Sequence, residues 1–557
     1  MSKVKLPLEM FQSWVRQQPN RVYLHQPVNR QLVPFLWHQV DDQTRRMAQY
    51  IVDQGYPKGS QIAIMSKNCA HWIMADLAIW MAGHVSVPLY PNLTAQTIEQ
   101  ILNHSDSKML FVGKLDGFDQ MCSGIPQSVH CVQFPHRLYK TTESYQCWDA
   151  IVKDTGPLKD IPERQADELA TIIYTSGTTG MPKGVMHNFG AIAFAGHNST
   201  KDVGIGHDDR FLSYLPLSHV AERLLVETGS LYTGCTVYFA ESLDTFKDDL
   251  AVARPTIFLA VPRIWNKFRD GILQKLPQKK LDVLLKVPLI NNLIRKKIKK
   301  GLGLQDCWLF ITGAAPIPAT LMRWFDSLGI QIQEAYGMSE NFAYSHYVRK
   351  SNWQPGAVGQ PFPGVTCRLA KDGEIQVAST ATMMGYFKEP EKTQEMLTDD
   401  HFIKTGDEGH IAGDGTLKIT GRVKDLFKTS KAKYVAPAPI ELKLQVSEYV
   451  ANVCVVGSGL PQPLALVMLS DIGKQQSEQQ LNPHFAKLMA DVNGTLEHHE
   501  RLDRIVVVDE DWTVENGILT PSMKVKRNVV EKRYLDRVAQ LTARDEIVWE
   551  KSALKVS

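Results

Sequence analysis

The chain has 557 residues, of which 44% are hydrophobic and 22% are charged, and its formal net charge is +3. This length allows three or more compact units, and the composition excludes a disordered or low-complexity chain. The near-neutral charge gives no global reason to expect a nucleic acid partner.

The first twenty residues, "MSKVKLPLEMFQSWVRQQPN", lack the apolar region of a signal peptide. No uncharged apolar run approaches the roughly 18 residues that a membrane span needs. We therefore expect a cytoplasmic protein. Eight cysteines are scattered without a Cys-x-x-Cys pair, which favours reduced, buried thiols over a zinc site or a disulfide framework.

The first 420 residues alternate helical patterns with short β-branched runs such as "QIAIMS", "KMLFVG", "TVYFA" and "CWLFITG". This alternation predicts an α/β protein with parallel-rich sheets flanked by helices. Asp-Gly punctuation in "DDHFIKTGDEGHIAGDGTLKITGR" predicts a small β-rich subdomain. The remainder predicts a smaller α+β unit, so we expect an N-terminal domain over residues 1–421 and a C-terminal domain over residues 422–557.

The stretch "YTSGTTGMPKG", residues 174–184, follows a β-branched run. Its glycines let main-chain N–H groups approach phosphate, its hydroxyls donate further bonds, and Lys183 adds a positive charge. The spacing is not that of a Walker A motif, because Lys183 follows Pro182 and precedes Gly184. Since Pro182 disfavours helix at Met181, we expect the lysine on a loop. The stretch favours a phosphate-binding loop over a surface linker.

Residues 289–304, "LINNLIRKKIKKGLGL", are locally basic. Apolar residues recur at helical spacing, with arginine and lysines on the remaining face: Ile290, Leu293, Ile294 and Ile298 are the apolar set. Such a helix can lie on anionic lipid, although a solvated surface helix is the commoner explanation. Peripheral contact with the inner face of a membrane through residues 289–300 stays open.

Further motifs occur in a fixed order along nearly the whole chain. They are "LPLSHVAER" (215–223), "ITGAAP" (311–316), "EAYGMSE" (334–340), "MMGYFKEPEKT" (383–393), "KTGDEG" (404–409), "GRVKDLFK" (421–428), "VAPAPIE" (435–441) and "LTPSMKVKR" (519–527). With the loop at 174–184, this series resembles the adenylate-forming superfamily of acyl-CoA synthetases, firefly luciferase and peptide-synthetase adenylation domains. "PLSHVAER" and "YVAPAPIE" look most like long-chain fatty acyl-CoA synthetases.

The resemblance implies ATP and Mg²⁺ sites. Residues expected to hold the β- and γ-phosphates are Thr175, Ser176, Gly177, Thr178, Thr179, Gly180 and Lys183. Glu340, with Thr175, is expected to bind Mg²⁺, a hard ion that favours oxygen. Ser339 replaces the family's usual threonine but keeps the hydroxyl that meets the α-phosphate.

The nucleoside is expected to meet a second group of residues. Gly313, Ala314 and Ala315 offer a flat wall for adenine, and Tyr336, followed by Gly337, can stack on the base. Asp407 resembles the carboxylate that accepts both ribose hydroxyls, with Arg422 as a second ribose contact. An isolated Thr-Gly-Asp would usually be a turn, so this assignment depends on the motif series.

The resemblance also implies that the C-terminal domain is mobile. Lys524 corresponds to the family's catalytic lysine, which contacts the carboxylate and the phosphate as the adenylate forms. Lys424 occupies the hinge about which the domain turns for the thiol step. Ala432 stands where relatives usually carry a glycine beside the CoA channel, so either a positive φ or a close ligand would make alanine unfavourable. A shifted loop that tolerates alanine is the alternative.

Two residues have structural alternatives of similar weight. His219 matches a position near the acyl carboxylate that acts in relatives as a gate for CoA, but a lone histidine is often a packed core residue. Trp265, in "VPRIWNK", could line an acyl tunnel, but a buried structural tryptophan is equally compatible with the pattern.

The sequence thus predicts an ATP-dependent ligase that adenylates a medium- to long-chain fatty acid and transfers the acyl group to CoA. One alternative is a fatty acyl-AMP ligase that passes the acyl group to an acyl carrier protein. Another is a catalytically decayed protein that binds ATP or fatty acid, against which the intact Lys183, Glu340, Asp407, Arg422 and Lys524 argue.

Overall fold

The computed structural model describes residues 4–135, 145–175, 181–540 and 545–553. None of the helices in these ranges has the length and the apolar character that crossing a bilayer requires.

The first 422 residues contain most of the strands. They are β1 (Val22–Val28), β2 (Gln31–Leu36), β3 (Gln61–Met65), β4 (Val85–Leu89), β5 (Met109–Val112), β6 (His130–Gln133), β7 (Gln146–Cys147), β8 (Leu169–Thr175), β9 (Lys183–Asn188), β10 (Arg210–Ser213), β11 (Thr236–Phe239), β12 (Ile257–Leu259), β13 (Leu309–Thr312), β14 (Ile332–Tyr336), β15 (His346–Tyr347), β16 (Gln360–Pro361), β17 (Thr366–Leu369), β18 (Glu374–Ala378), β19 (Gly385–Tyr386), β20 (Ile403–Ile411) and β21 (Leu417–Arg422).

The helices of the same part of the chain connect and cover these strands. They are α1 (Pro7–Gln17), α2 (Trp37–Asp53), α3 (Ala70–Met81), α4 (Ala95–Ser105), α5 (Phe118–Met121), α6 (Trp148–Asp154), α7 (Phe189–Val203), α8 (Val220–Glu222), α9 (Gly229–Thr233), α10 (Phe246–Ala253), α11 (Pro262–Lys275), α12 (Gln278–Lys286), α13 (Ile290–Gly301), α14 (Ala319–Ser327) and α15 (Pro390–Met396), with a π-helical turn over Arg223–Thr228.

Two large sheets form the body. The nine-stranded sheet has the order β16-β15-β14-β13-β12-β10-β11-β1-β2, and the eight-stranded sheet has the order β19-β9-β8-β4-β3-β5-β6-β7. Parallel pairs fill the middle of both sheets. Antiparallel pairs lie at both edges of the nine-stranded sheet and at the β19 edge of the eight-stranded sheet. A four-stranded antiparallel sheet, β17-β18-β20-β21, is the predicted β-rich subdomain.

One core joins the two large sheets, and α3 lies inside it. All twelve residues of α3 are buried, as expected of a helix that is apolar on every side. Arg223, also buried, pairs with Asp76 of α3 at 2.5 Å and with Glu227 at 3.0 Å. Because a buried charge is costly unless it is paired, these contacts fix the segment around Arg223 against α3.

The end of the chain forms a smaller α+β unit. Its strands are β22 (Phe427–Lys428), β23 (Tyr434–Val435), β24 (Val450–Val456), β25 (Leu464–Leu469), β26 (Ile505–Val508) and β27 (Ile547–Trp549), and its helices are α16 (Pro437–Leu444), α17 (Glu478–Asn493), α18 (Arg527–Gln540) and α19 (Glu550–Ala553). The predicted α/β class, with large sheets flanked by helices and a smaller C-terminal domain, is confirmed. The boundary between residues 421 and 422 stays a prediction.

Candidate active site

The candidate site lies where strands of both large sheets end. β8 ends at Thr175, β13 ends at Thr312 and β14 ends at Tyr336, each directly before residues of the predicted site. The carboxyl ends of parallel strands are the usual place for ligands in open α/β sheets. Ser176, Gly177, Thr178, Thr179 and Gly180 lie outside the described residues.

Lys183 occupies a different backbone setting from the one predicted. It opens β9 and pairs with Thr175 across the antiparallel β8–β9 ladder, so it lies in a strand rather than on a loop. Pro182 excludes a helix start, as expected, but its fixed φ is also compatible with the start of a strand. The Lys183 ammonium lies 4.9 Å from the centre of the Tyr386 ring.

Glu340 and Ser339 lie in a short 3₁₀ turn, Ser339–Asn341, after β14. The Tyr386 hydroxyl donates to Glu340 Oε1 at 2.7 Å, and the main-chain N–H of Met383 donates to the Glu340 carbonyl at 2.8 Å. His187 Nε2 donates to the Ser339 carbonyl at 2.7 Å. Tyr386 therefore connects the predicted phosphate lysine with the predicted metal ligand, a role that the sequence analysis missed.

Asp407 is the centre of a second cluster. Its Oδ2 accepts a hydrogen bond from the Tyr336 hydroxyl at 2.6 Å, and its Oδ1 lies 2.9 Å from Nε of Arg422. The register of β20 and β21 places Asp407 opposite Arg422. Asp407 is buried whereas the Arg422 side chain is 59% exposed, so the guanidinium borders open space.

The segments after β13 and β14 have backbone constraints that favour small residues. Ala314 has φ +64°, and Ala314 and Ala315 are exposed, which leaves the predicted adenine wall open to a ligand. A Cβ at Gly313 would lie 3.1 Å from the Ala335 carbonyl oxygen. A Cβ at Gly337 would lie 2.5 Å from the Ala343 carbonyl, so only glycine fits there.

His219 precedes α8 and caps it, since its Nδ1 accepts a hydrogen bond from the Ala221 N–H at 3.2 Å. Burial, with a smaller contribution from Lys524, lowers the pKa of His219 to about 4. The ring is therefore neutral near pH 7, with its proton on Nε2.

Two further residues hold the loop that carries His219. Asn68 donates to the Leu215 carbonyl at 2.6 Å, and its Oδ1 accepts from the Leu217 N–H at 3.0 Å. Glu222 Oε1 accepts from the Ser213 hydroxyl at 2.8 Å, and burial raises the pKa of Glu222 to about 8. Glu222 belongs to the "LPLSHVAER" motif, but the sequence alone could not show that it is a buried hydrogen-bond acceptor.

Lys524 approaches the same cleft from the C-terminal domain. It follows Met523, whose φ is +64°, in a hairpin closed by a bridge between Leu519 and Val525. Asn92 of the large domain donates to the Pro521 carbonyl of this hairpin at 3.0 Å. Lys524 as a whole is exposed, although nearby protein atoms desolvate its ammonium group.

Charged residues of both clusters influence the pKa of Lys524. Desolvation and then Arg422 lower its pKa, while Asp407 and Glu340 raise it by smaller amounts. Residues of both clusters therefore act electrostatically on one C-terminal lysine.

Lys424 and Ala432, the two C-terminal residues predicted to act in the thiol step, lie in the segment that follows β21. Lys424 is exposed in a short 3₁₀ turn between β21 and β22. Ala432 lies in the turn between β22 and β23, where its N–H donates to the Thr429 carbonyl at 2.9 Å and its φ is +61°. Alanine is thus in the left-handed region that favours glycine.

Trp265 is a core residue. It is fully buried, its indole N–H donates to the Ala260 carbonyl at 3.2 Å, and its ring packs against Phe258 and Phe325. This environment supports the structural alternative. Of the eight cysteines, all free thiols, Cys69, Cys131, Cys235, Cys307 and Cys454 are buried, and the other three are partly exposed.

Comparisons with known proteins agree along most of the chain. A family model described as "AMP-binding enzyme" matches residues 11–387, and a model of the AMP-binding enzyme C-terminal domain matches residues 424–546. Long-chain-fatty-acid–CoA ligase 5 of Rattus norvegicus is 30% identical, over 91% of this chain and 84% of its own length. Long-chain-fatty-acid–CoA ligase 1 of Homo sapiens is 29% identical, over 91% and 82%.

Solved structures share the fold. The adenylation domain of a carboxylate reductase from Mycobacterium chelonae has a TM-score of 0.81 at 21% identity, covering 96% of this chain and 91% of that one. O-succinylbenzoate CoA synthetase from Bacillus subtilis, solved with its acyl-adenylate intermediate, has a TM-score of 0.73 at 22% identity, covering 94% and 97%.

Proposed function

Because the chain belongs to the AMP-binding enzyme family, we propose that it is a long-chain fatty acid–CoA ligase that forms an acyl-adenylate from ATP and then transfers the acyl group to CoA. The fatty acid and CoA are the substrates that the names of the relatives indicate. The observation that carries the proposal is the segment 336–340 after β14, which contacts Asp407 through Tyr336 and Tyr386 through Glu340, because adenylation needs nucleoside and phosphate sites side by side.

The first step joins two anions, the fatty acid carboxylate and the α-phosphate of ATP, with pyrophosphate as the leaving group. The site must screen this charge and align the attacking oxygen with the phosphorus. Lys524 is suited to contact both reacting groups, and Lys183, at the start of β9, is suited to the β- and γ-phosphates. The motif residues 176–180 would add main-chain and hydroxyl donors to the phosphates.

Glu340 fits a magnesium ion. Its Oε1 accepts a hydrogen bond from the Tyr386 hydroxyl, and among the described residues its other carboxylate oxygen accepts none. A carboxylate oxygen of this kind suits Mg²⁺, and Thr175 would add a hydroxyl from the end of β8. When bound, the ion would neutralise charge on the phosphates, while Tyr386 keeps Glu340 oriented.

The nucleoside would lie between the second cluster and the turn after β13. Asp407 can accept hydrogen bonds from the ribose hydroxyls in addition to the one from Tyr336 and the ion pair with Arg422, because a carboxylate has about four acceptor positions. Adenine would lie on the side-chain-poor turn at Gly313, Ala314 and Ala315, of which the two alanines are exposed.

The second step is thiol attack on the acyl-adenylate, which releases AMP. We propose that the C-terminal domain turns about Lys424 between the steps, so that Lys524 leaves the cleft and the turn at Ala432 approaches the thiol. His219 is neutral and lies at the start of α8, where a rotation of its ring would open space for the thiol without moving a charge.

Pyrophosphate release in the presence of ATP, Mg²⁺ and a fatty acid tests the first step. AMP and thioester formation after addition of CoA, or of an acyl carrier protein, tests the acceptor. Binding of ATP without any pyrophosphate release would contradict an enzyme, and transfer to the carrier protein alone would favour the acyl-AMP ligase alternative.

A scan across acyl lengths tests the substrate class. Each buried methylene is worth roughly 0.8 kcal/mol, so kcat/KM should rise about fourfold per carbon until the acyl site is full. A preference for acetate or for an aromatic acid would contradict a long-chain substrate.

A further inference from the structure

The helical hairpin of α12 and α13 is attached to the large domain by one side only. Leu281 is fully buried, and Ile294 and Ile298 pack against the aromatic core that contains Trp265. Arg295 donates to the Ser327 carbonyl at 3.0 Å, and the Lys299 ammonium lies 5.6 Å from the centre of the Phe310 ring. These contacts attach the hairpin to the domain.

The four apolar residues that the sequence placed on one face of α13 divide between two faces. Ile294 and Ile298 face the core, whereas Ile290 and Leu293 are 40% and 65% exposed. Because the face at 290 and 293 continues through 296, 297 and 300, its first turn is apolar and its later turns are basic.

The connection between the two helices extends the apolar part of this face. Leu289, at the apex, is 86% exposed, and Val283 of α12 is 63% exposed. Leu289 has φ +68°, a conformation in which glycine would be less strained. Leu289 therefore adds to an exposed apolar patch with Ile290 and Leu293, and such patches mark interaction sites.

The charge of the hairpin is concentrated. Residues 275–300 contain eight lysines, one arginine and one aspartate, a net charge of +8, whereas the whole chain has +3 and the remainder therefore −5. Apart from Arg295 and Lys299, whose contacts face the domain, the basic residues are exposed: Lys275, Lys279, Lys280, Lys286, Lys296, Lys297 and Lys300.

From this arrangement we infer that the apex of the α12–α13 hairpin, residues 283–300, is a docking surface for an anionic lipid bilayer. Leu289, Ile290 and Leu293 enter the interface between headgroups and acyl chains, and the lysines bind the anionic headgroups while their alkyl stems lie along the apolar surface. A nucleic acid would use the lysines but would leave the apolar apex in water.

Vesicle flotation of the full chain tests the inference. With vesicles of phosphatidylcholine containing 30% phosphatidylglycerol, the parent should float, whereas with pure phosphatidylcholine it should not. Each lysine near an anionic surface contributes about a fivefold factor, so Lys296→Glu, Lys297→Glu and Lys300→Glu together should weaken partition at least 100-fold. Raising the salt should weaken the binding of the parent at least tenfold, because it shortens the range of the attraction.

Matched variants show whether binding depends on the position of the lysines or only on the total charge, and they measure the contribution of the apolar residues to vesicle binding. The same charge change at exposed lysines elsewhere, Lys153→Glu, Lys371→Glu and Lys418→Glu, should leave partition within threefold of the parent. Leu289→Ser with Leu293→Ser should weaken partition at least tenfold, whereas Leu32→Ser with Val52→Ser, at exposed apolar residues elsewhere, should not. All variants should keep the parental circular dichroism and turnover of a short acid in free solution.

Several outcomes would overturn the inference. They are equal binding to neutral vesicles, no binding to anionic vesicles, an equal loss in the Lys153, Lys371 and Lys418 variant, and partition that is unchanged by Leu289→Ser with Leu293→Ser. The last outcome, combined with binding to single-stranded RNA that matches binding to vesicles, would assign the surface to a polyanion instead.

Discussion

Lys183 and Lys524 both bring a positive charge to the cleft, but the chain holds them in different ways. Lys183 opens β9, pairs with Thr175 and lies over the Tyr386 ring, all within the large domain. Lys524 lies in a hairpin of the C-terminal domain that reaches the large domain through the hydrogen bond from Asn92 to Pro521. In the proposed cycle the first lysine is a fixed part of the site, and the second is present only while the domains are in this arrangement.

Lys524→Ala is expected to have the largest effect, and it tests whether the second lysine acts in adenylation only. We expect adenylation to fall at least 1000-fold, which is about 4 kcal/mol of lost transition-state stabilisation. Thioester formation from supplied acyl-adenylate should stay within about fivefold of the parent, because the lysine is absent from the cleft in that step. Pyrophosphate release and single-turnover thioester formation measure the two rates.

Lys526→Ala, two residues along the same segment, is the control and should lower neither rate by more than about twofold. An equal loss of both half-reactions in Lys524→Ala would show that Lys524 does not leave the cleft before the thiol step.

The pH dependence of adenylation should identify the same lysine. The pKa of Lys524 is lowered by desolvation and by Arg422. The proposed mechanism requires the protonated form. Adenylation kcat/KM should therefore fall about tenfold per unit as the pH rises through a value below the usual 10.5 for lysine. His219, with a pKa of about 4, should contribute no change between pH 6 and 8.

Lys524→Arg is the matched variant for this profile, because arginine stays protonated throughout the accessible range. Its adenylation should be slower but without the alkaline decrease. An alkaline decrease of the same midpoint in Lys524→Arg would assign the titration to another group.

Tyr386→Phe tests the surroundings of Lys183, the lysine that belongs to the large domain. The variant keeps the ring beside Lys183 but removes the hydroxyl that donates to Glu340. A hydrogen bond to a charged group contributes about 1.5 kcal/mol, so adenylation kcat/KM should fall about tenfold. The Mg²⁺ concentration for half-maximal rate should rise, because Glu340 loses its orientation.

Tyr344→Phe removes a tyrosine hydroxyl that donates to the Pro363 carbonyl, and serves as the control with an unchanged Mg²⁺ dependence. If Tyr386→Phe also leaves the Mg²⁺ dependence unchanged, Tyr386 does not orient a metal ligand.

Asn92→Ala tests how the C-terminal hairpin is held. The variant removes the donor to the Pro521 carbonyl, an exposed hydrogen bond worth roughly 0.5–1 kcal/mol. Adenylation should fall two- to fivefold while thioester formation from acyl-adenylate is unchanged. Asn528→Ala, at an exposed position of α18, should change neither rate. A decrease of thioester formation in Asn92→Ala would mean that Asn92 acts on both arrangements of the domains.

The sequence was sufficient for the order of the elements and for residues that come directly after strands. Short β-branched runs that alternate with helical patterns predicted the parallel-rich sheets, and Asp-Gly turn residues predicted the small β-rich subdomain. The motif series assigned Asp407 and Arg422 to one ribose site. These features depend on local spacing, which sequence reports directly.

Contacts between distant segments could not be obtained in this way. The pairing of Tyr386 with Glu340 depends on how β19 and the turn after β14 meet, and the hydrogen bonds of Asn68 depend on the loop after β10. The placement of Lys183 in β9 depends on its pairing with β8, which outweighs the local preference of Pro182 for a turn. On α13, period alone could not separate Ile290 and Leu293 from Ile294 and Ile298, because all four lie within one broad arc.

Ala432→Gly has the smallest expected effect and concerns the C-terminal domain, which turns in the proposed cycle. With φ +61°, alanine strains the turn between β22 and β23 by roughly 1 kcal/mol, so glycine should raise the free energy of unfolding by about that amount. Ala438→Gly, inside α16, should lower it instead. Pyrophosphate release should be unchanged, but thioester formation from acyl-adenylate should be faster if the methyl group also narrows the path of the thiol. A stabilised variant with no faster single-turnover thioester formation would leave backbone strain as the whole effect of this alanine and exclude a narrowed channel.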